Sequence, residues 1–348
     1  MQISGGVLLA LTAAALFGAS TPLSKVLLDQ LDPLTLAGLL YLSAGLGLAA
    51  LYAARRLFRP WRAEASLRRT DAPWLVGMVV SGGIVAPVLL LVGLRATPAT
   101  TASLLLNLEA LTTMLIAWLV TREFVDRRLL TGAVAILSGA VVLGWQGAGT
   151  FSWGAVAIAG ACVAWGVDNN LTRKLSHADP VQITMIKGLV AGSVNVALAA
   201  GMGASLPAPS ALAGGAAVGF FGYGVSLVLF VLALRYLGTA RTSAYFSTAP
   251  FIGAALSVAL LGDAVTIQMA VAGLLMGLGV YLHITERHVH EHRHDPLTHE
   301  HAHVHDEHHQ HPHGPHDPAG EPHVHIHAHA PLRHAHRHFP DLHHRHEH

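Results

Sequence analysis

SLLLNLEALTTMLIAWLV, residues Ser103–Val120, decides the fold class. About 20 residues rising about 1.5 Å each cross a hydrocarbon core, and this run is long and apolar enough to do so. It carries Asn107 and Glu109 near its middle. An acid at bilayer depth costs roughly 2.5–3.5 kcal/mol on insertion scales, so it faces a bundle interior or a wet cavity and is a functional candidate. A neutral glutamic acid hydrogen-bonded between helices is the structural alternative.

The rest of the chain shares that character. Of 348 residues, 52% are hydrophobic and only 12% charged, with 35 glycines, which excludes an ordinary soluble domain and points to a polytopic membrane protein. Apolar runs fall at roughly Gly5–Leu28, Pro33–Ala54, Pro73–Leu94, Ala99–Val120 and Leu129–Trp145. Five more follow, at roughly Trp153–Leu171, Val181–Ala200, Ala211–Leu234, Thr242–Leu261 and Thr266–Leu282. They are too long for barrel strands and lack the alternating polar face; glycine and alanine suit close helix packing in lipid. The expected fold is all-α with ten transmembrane helices. The N-terminus has no basic n-region, so its apolar stretch is read as a retained span. Cys162 is the single cysteine, so no intrachain disulfide forms.

Lys and Arg are retained in the cytoplasm. The second connection holds Arg55, Arg56, Arg59, Arg62, Arg68 and Arg69; the fourth holds Arg122, Arg127 and Arg128; the sixth holds Arg173 and Lys174; Arg235 and Arg241 flank the eighth. The odd connections are poor in such residues. Both termini are therefore expected in the cytoplasm, with the protein in a bacterial-type inner membrane.

The chain also repeats itself. Phe17-Gly18-Ala19-Ser20-Thr21-Pro22-Leu23-Ser24-Lys25 aligns with Trp165-Gly166-Val167-Asp168-Asn169-Asn170-Leu171-Thr172-Arg173, Gly93-Leu94-Arg95 with Ala233-Leu234-Arg235, and Glu123 with Asp263. Five spans per half, an odd number, make the second copy inverted, an architecture of secondary transporters with the substrate site between the halves. The organisation is a first repeat at 1–147, a second at 148–285 and a tail at 286–348.

These segments, with YFSTAPFIGAALSVALLGD (245–263) and the run from Ser103 to Gly144, resemble the EamA-like members of the drug/metabolite transporter superfamily over about residues 4–285. The resemblance implies a permease with two five-helix repeats that exports a small solute. The family pattern usually places a proline in the fourth span, as Pro250 stands in the ninth; here Glu109-Ala110 takes its place.

The candidate substrate and coupling residues are Asn107, Glu109, Lys25, Asp168, Asn169, Asn170 and Tyr245. Pro22 frees carbonyls around Gly18 and Ala19, with Lys25 a turn beyond, either binding an anion, pairing Glu109 or snorkelling. Asp168-Asn169-Asn170 puts three polar side chains within one turn. Tyr245 aligns with Leu105, near the depth of Asn107. Lys187 lies close enough to a span end to snorkel; Trp118, Trp145, Trp153 and Trp165 are read as an interfacial belt; Glu123 and Asp263 are read as caps or loop ion pairs. No GK[ST] phosphate loop, GxSxG, HExxH or paired-cysteine motif occurs, so neither an enzyme nor a nucleic-acid binder is expected, and an ion or proton gradient or exchange would drive transport. Glu109 is the natural proton site.

After Leu282 the composition changes. Of 26 histidines, all but His177 lie from His283 onward, alternating with other residues. The tail lacks the bulky apolar residues of a core and is expected to be disordered without a ligand. Imidazole is a ligand for zinc, nickel, cobalt and copper; the candidate metal ligands are His288, His290, His292, His294, His299, His301, His303, His305, His308, His309, His311, His313, His323, His325, His327 and His329. No cofactor is required; zinc, nickel or cobalt ions are expected partners of the tail, beside the lipid bilayer and a small-molecule substrate, in a monomer or homodimer. The reading is a secondary transporter of a small polar organic metabolite, working by alternating access. A divalent-metal or metal-complex exporter, and a non-transporting membrane metal sensor, are the alternatives.

Overall fold

The computed structural model describes residues 2–58, 67–121, 127–147, 150–175, 178–237, 242, 245–285, 288–293, 297–303, 323–329 and 333–338. Arg59, Arg62, Arg122, Glu123, Arg241, His294, His305, His308, His309, His311 and His313 lie outside the described residues.

The apolar runs become helices. Helix α1 (Gln2–Leu27) continues through Pro22 without a break. Helix α2 (Pro33–Phe58) is started by Asp32, whose carboxylate accepts from the backbone N–H of Leu34 at 3.0 Å and of Thr35 at 2.9 Å, and from the Thr35 hydroxyl. These bonds satisfy donors that a helix start leaves orphaned. The third run is compound: α3 (Ala72–Met78), a π-helical segment Val79–Val85 and α4 (Ala86–Arg95). The fourth run is not one helix either. Helices α5 (Ala99–Leu105) and α6 (Leu108–Thr121) are separated by a tight turn in which Leu106, Asn107 and Glu109 N–H groups bond carbonyls three residues back.

Helix α7 (Arg127–Gly144) leads through a β1–β2 hairpin (Trp145–Gly147, Thr150–Phe151) to α8 (Trp153–Lys174) and α9 (Pro180–Gly201). Then come α10 (Pro209–Val218), a second π segment Gly219–Val225, and α11 (Ser226–Leu237). Helix α12 (Ala249–Leu261) ends on Gly262, whose φ of 70° is the left-handed cap glycine adopts most readily. Helix α13 (Ile267–Ile284) closes the bundle.

The principal packings join residues before 148 to residues after it: α2 lies along α9, α7 along α13, α1 against α11 and α12, α8 against α4 and α6, and α5 against α12. Two glycines permit close crossings between these helices. A β-carbon at Gly18 would stand 2.4 Å from the Ala249 carbonyl oxygen, and one at Gly166 would stand 2.7 Å from Thr112 Oγ1.

Among the described residues, eight helical segments are long and apolar enough to cross a membrane by length and composition: Gly5–Leu27, Pro33–Ala54, Arg69–Arg95, Ala99–Val120, Arg127–Gly144, Val181–Gly201, Pro209–Ala233 and Ile267–Ile284. The charged α8 is not among them, and α12 is a shorter apolar helix.

The composition of the tail predicts disorder without a ligand; among its described residues four strands are found. β3 (His288–Arg293) pairs antiparallel with β6 (Arg333–His338), and β4 (Leu297–His303) with β5 (His323–His329). The alternation of histidine with other residues has the two-residue period of a strand.

Candidate functional site

The turn that divides α5 from α6 places Glu109 in the first turn of α6. From α8, Asn169 donates its amide to Glu109 Oε1 at 3.0 Å and to Thr113 Oγ1 at 3.1 Å. Asn170 donates to the Thr113 and Gly166 carbonyls at 3.0 and 2.8 Å, and its own amide oxygen is buried without a hydrogen-bond partner. The Thr112 and Thr113 hydroxyls return to the Glu109 carbonyl at 3.0 and 2.8 Å. Neighbouring turns of α6 and α8 are thus stitched around the carboxylate.

Beside it, Asp168 is buried and its Oδ2 lies 2.5 Å from Lys187 Nζ of α9. This corrects the reading of Lys187 as an interfacial side chain: sequence position gives depth along a span, but not the face of the helix. The pair lies over the first π segment. A β-carbon at Gly82 would stand 2.1 Å from Asp168 Oδ2, and one at Gly83 would stand 3.5 Å from Lys187 Cγ. A π turn shifts the backbone ladder and offers carbonyls to side chains. Gly82 O accepts from Tyr41 Oη at 2.7 Å and Trp165 Nε1 at 3.1 Å, and Gly83 O accepts from Asn195 Nδ2 at 3.1 Å. Trp165 is buried, so it does not belong to the interfacial belt; Trp118, Trp145 and Trp153 are exposed.

Asp168 and Lys187 lie within electrostatic reach of Glu109, and Glu109 of Tyr41 and Tyr223. Tyr223, from the second π segment, is in ring contact with Tyr41 at 5.5 Å and Phe17 at 5.8 Å. The result is a cluster drawn from both halves, with two acids, one ammonium, amides and phenols in an apolar bundle. Such a set can hold a polar solute and exchange a proton with it.

Three expected residues lie elsewhere. Asn107 is buried but donates to the Leu104 carbonyl of its own turn at 2.8 Å, with Met276 Sδ of α13 at 3.9 Å. Lys25 is not paired with Glu109: its Nζ donates to the carbonyls of Leu94, Arg95 and Thr97 at 2.6, 3.2 and 2.9 Å, closing the carbonyl end of α4. Tyr245 packs against the small cluster of Ala10 and Ala233. Asp263 accepts from the Thr100 N–H at 2.8 Å and the Thr100 hydroxyl at 2.7 Å, a cap across the halves. Sequence reasoning missed Tyr41, Gly82 and Asn195 and placed Lys187 at the interface; the adjacent Gly82-Gly83 was the one local signal. Among the described residues of the helical bundle, no group of three or more His, Cys, Asp or Glu converges as a metal site.

Comparison with known proteins gives a consistent picture. The EamA-like transporter family matches twice, over residues 4–145 and 152–285. An uncharacterized transporter of Methanothermobacter thermautotrophicus is 30% identical over 296 residues, 80% of this chain and 85% of the relative. A protein of known crystal structure, 20% identical, superposes with a TM-score of 0.59 over 80% of this chain and 94% of its own, a likeness of fold.

Proposed function

The chain belongs to the EamA-like transporter family and is a multi-pass membrane transporter, and from that premise we propose that it is a proton-coupled secondary transporter of a small polar organic metabolite. The observation that carries this reading is the Glu109 carboxylate held by Asn169 at a helix break, beside the part-buried Asp168–Lys187 pair. An acid in that position binds either a proton or a solute donor, and exchange between the two is the elementary act of coupled transport.

Ten spans in two inverted five-helix repeats frame the site. In support, the family matches once in each half, each half has one π segment, and a turn precedes Glu109 in one half and Ala249 in the other. α8 and the segment ending in α12 supply the two spans that composition alone leaves out. Loop charge puts both termini in the cytoplasm of a bacterial-type inner membrane. The Thr100–Asp263 contact then ties the outer end across the halves, and Lys25 ties the first span to the third at the same end, which supports an arrangement open toward the cytoplasm and fits export. The tail acts as a cytoplasmic store for zinc, nickel or cobalt.

Proteoliposomes test the coupling. Glu109→Gln is expected to abolish solute movement driven by a pH gradient while leaving the fold intact by circular dichroism. Wild-type gradient-driven rates in that variant would remove Glu109 from the mechanism.

A further inference from the structure

The register of the tail strands carries an inference that rests on the reading of the tail as a metal store. In the outer ribbon, His288, His290 and His292 stand directly opposite His338, His336 and His334. In the inner ribbon, His299, His301 and His303 stand opposite His327, His325 and His323. Residues two apart on a strand share a face, and directly opposed residues share it too. Each ribbon therefore collects six histidine positions on one face, as three cross-strand rungs. Val289, Glu291 and Arg293 occupy the other face of β3, and Thr298, Glu300 and Ala302 that of β4.

We infer that each ribbon is a histidine ladder whose rungs bind divalent nitrogen-preferring ions, and that the bound ions close the tail on itself. Opposed β-carbons lie about 4.5–5.5 Å apart, a separation that lets two imidazoles share one ion, and the next rung follows about 6.7 Å along the strand. Neighbouring rungs supply four nitrogens, the number a tetrahedral zinc site takes. Imidazole suits zinc, nickel and copper rather than magnesium or calcium.

The ion is needed for closure. A lone two-stranded ribbon is marginal in water, and the outer ribbon joins His288 to His338 across a long intervening segment whose closure costs entropy. The off-ladder face offers little apolar area to offset that, and it sets Arg293 opposite Arg333, a like-charge pair that opposes closure. The ladder adds His334, His336 and His338 to the metal-binding positions that composition alone suggests. It also brings β6 back to the residues that follow α13.

Spin labels read the closure directly. Glu291→Cys and Ala335→Cys, directly opposed on the off-ladder face, are labelled in the full-length protein carrying Cys162→Ser. Zn²⁺ or Ni²⁺ is expected to convert a broad distance distribution into one short distance, and Mg²⁺ is not. Changing His288, His290, His292, His334, His336 and His338 to alanine should remove that short distance. Changing His305, His308, His309, His311, His313 and His316 should leave it. Binding of Zn²⁺ by calorimetry without shortening overturns the ladder and leaves the metal store standing. Shortening that survives loss of the six rung histidines also overturns the ladder. Absence of Zn²⁺ binding overturns the store and the ladder together.

Discussion

Gly82 and Asp168 occupy one another's space: a β-carbon on the glycine would stand 2.1 Å from the carboxylate Oδ2. The π segment between α3 and α4 is thus the floor on which the acid of α8 rests, and the absence of a side chain at 82 is what lets Asp168 reach Lys187. Gly82→Ala is expected to push the carboxylate off the ammonium, with an overpacking cost of about 1–3 kcal/mol. Thermal unfolding in detergent and transport in vesicles measure both parts; an unchanged melting temperature with full activity would contradict this packing.

The Asp168–Lys187 pair is buried enough that losing one partner strands the other. Lys187→Met or Asp168→Asn alone is expected to destabilise the protein by about 3–5 kcal/mol, and the double variant to recover much of that. Equal losses in single and double variants would show that the two groups do not depend on one another.

Asn169 is the only side-chain amide shown on the Glu109 carboxylate among the described residues. Asn169→Leu removes that donor at nearly constant volume. A hydrogen bond to a charged group is worth about 1.5–3 kcal/mol, so solute affinity or coupling should fall roughly tenfold or more, read as KM and as the ratio of protons to solute. If neither changes, the amide has no part in the site.

Asp32 gives a pH signature outside the membrane spans. Burial pushes its carboxyl up, but the bonds from the Thr35 hydroxyl, the Thr35 N–H and the Leu34 N–H outweigh that and hold it below the ordinary value. A depressed folded-state value means that the cap is fully stabilising above the unfolded-state value, about 3.9, and fades as pH falls through the folded one. Asp32→Ala should therefore lower stability by about 0.5–2 kcal/mol at pH 7, and the gap should close in strong acid. A gap independent of pH would assign the effect to something other than the carboxylate.

Glu109 was legible in the sequence because a charge in an apolar run is expensive wherever it faces, and Asn169 because it recurs beside Asp168 at one helical turn. Trp165 and Lys187 were not, since their roles depend on which face of α8 and α9 meets the third span, and apolar runs in lipid carry almost no facial periodicity. The break at Leu106–Asn107 was hidden for a related reason: the second half marks its turn with Pro250, whereas the first half makes the same turn without a proline. Asn107 finds Met276 across 169 positions of chain, a partner no local pattern reveals.

Five aromatic rings run through the bundle in sequence: Phe230 meets Phe246 at 4.8 Å, Phe246 meets Phe17 at 5.4 Å, Phe17 meets Tyr223, and Tyr223 meets Tyr41. Phe17 and Tyr41 come from the first half and the others from the second, so the chain of rings crosses the seam three times. Ring contacts of this kind are worth about 0.5–1.5 kcal/mol each beyond the area they bury. Any rocking of one half on the other has to slide along this spine, which makes it a friction element: shaving a ring should alter how fast the halves exchange positions more than how tightly the site grips its cargo.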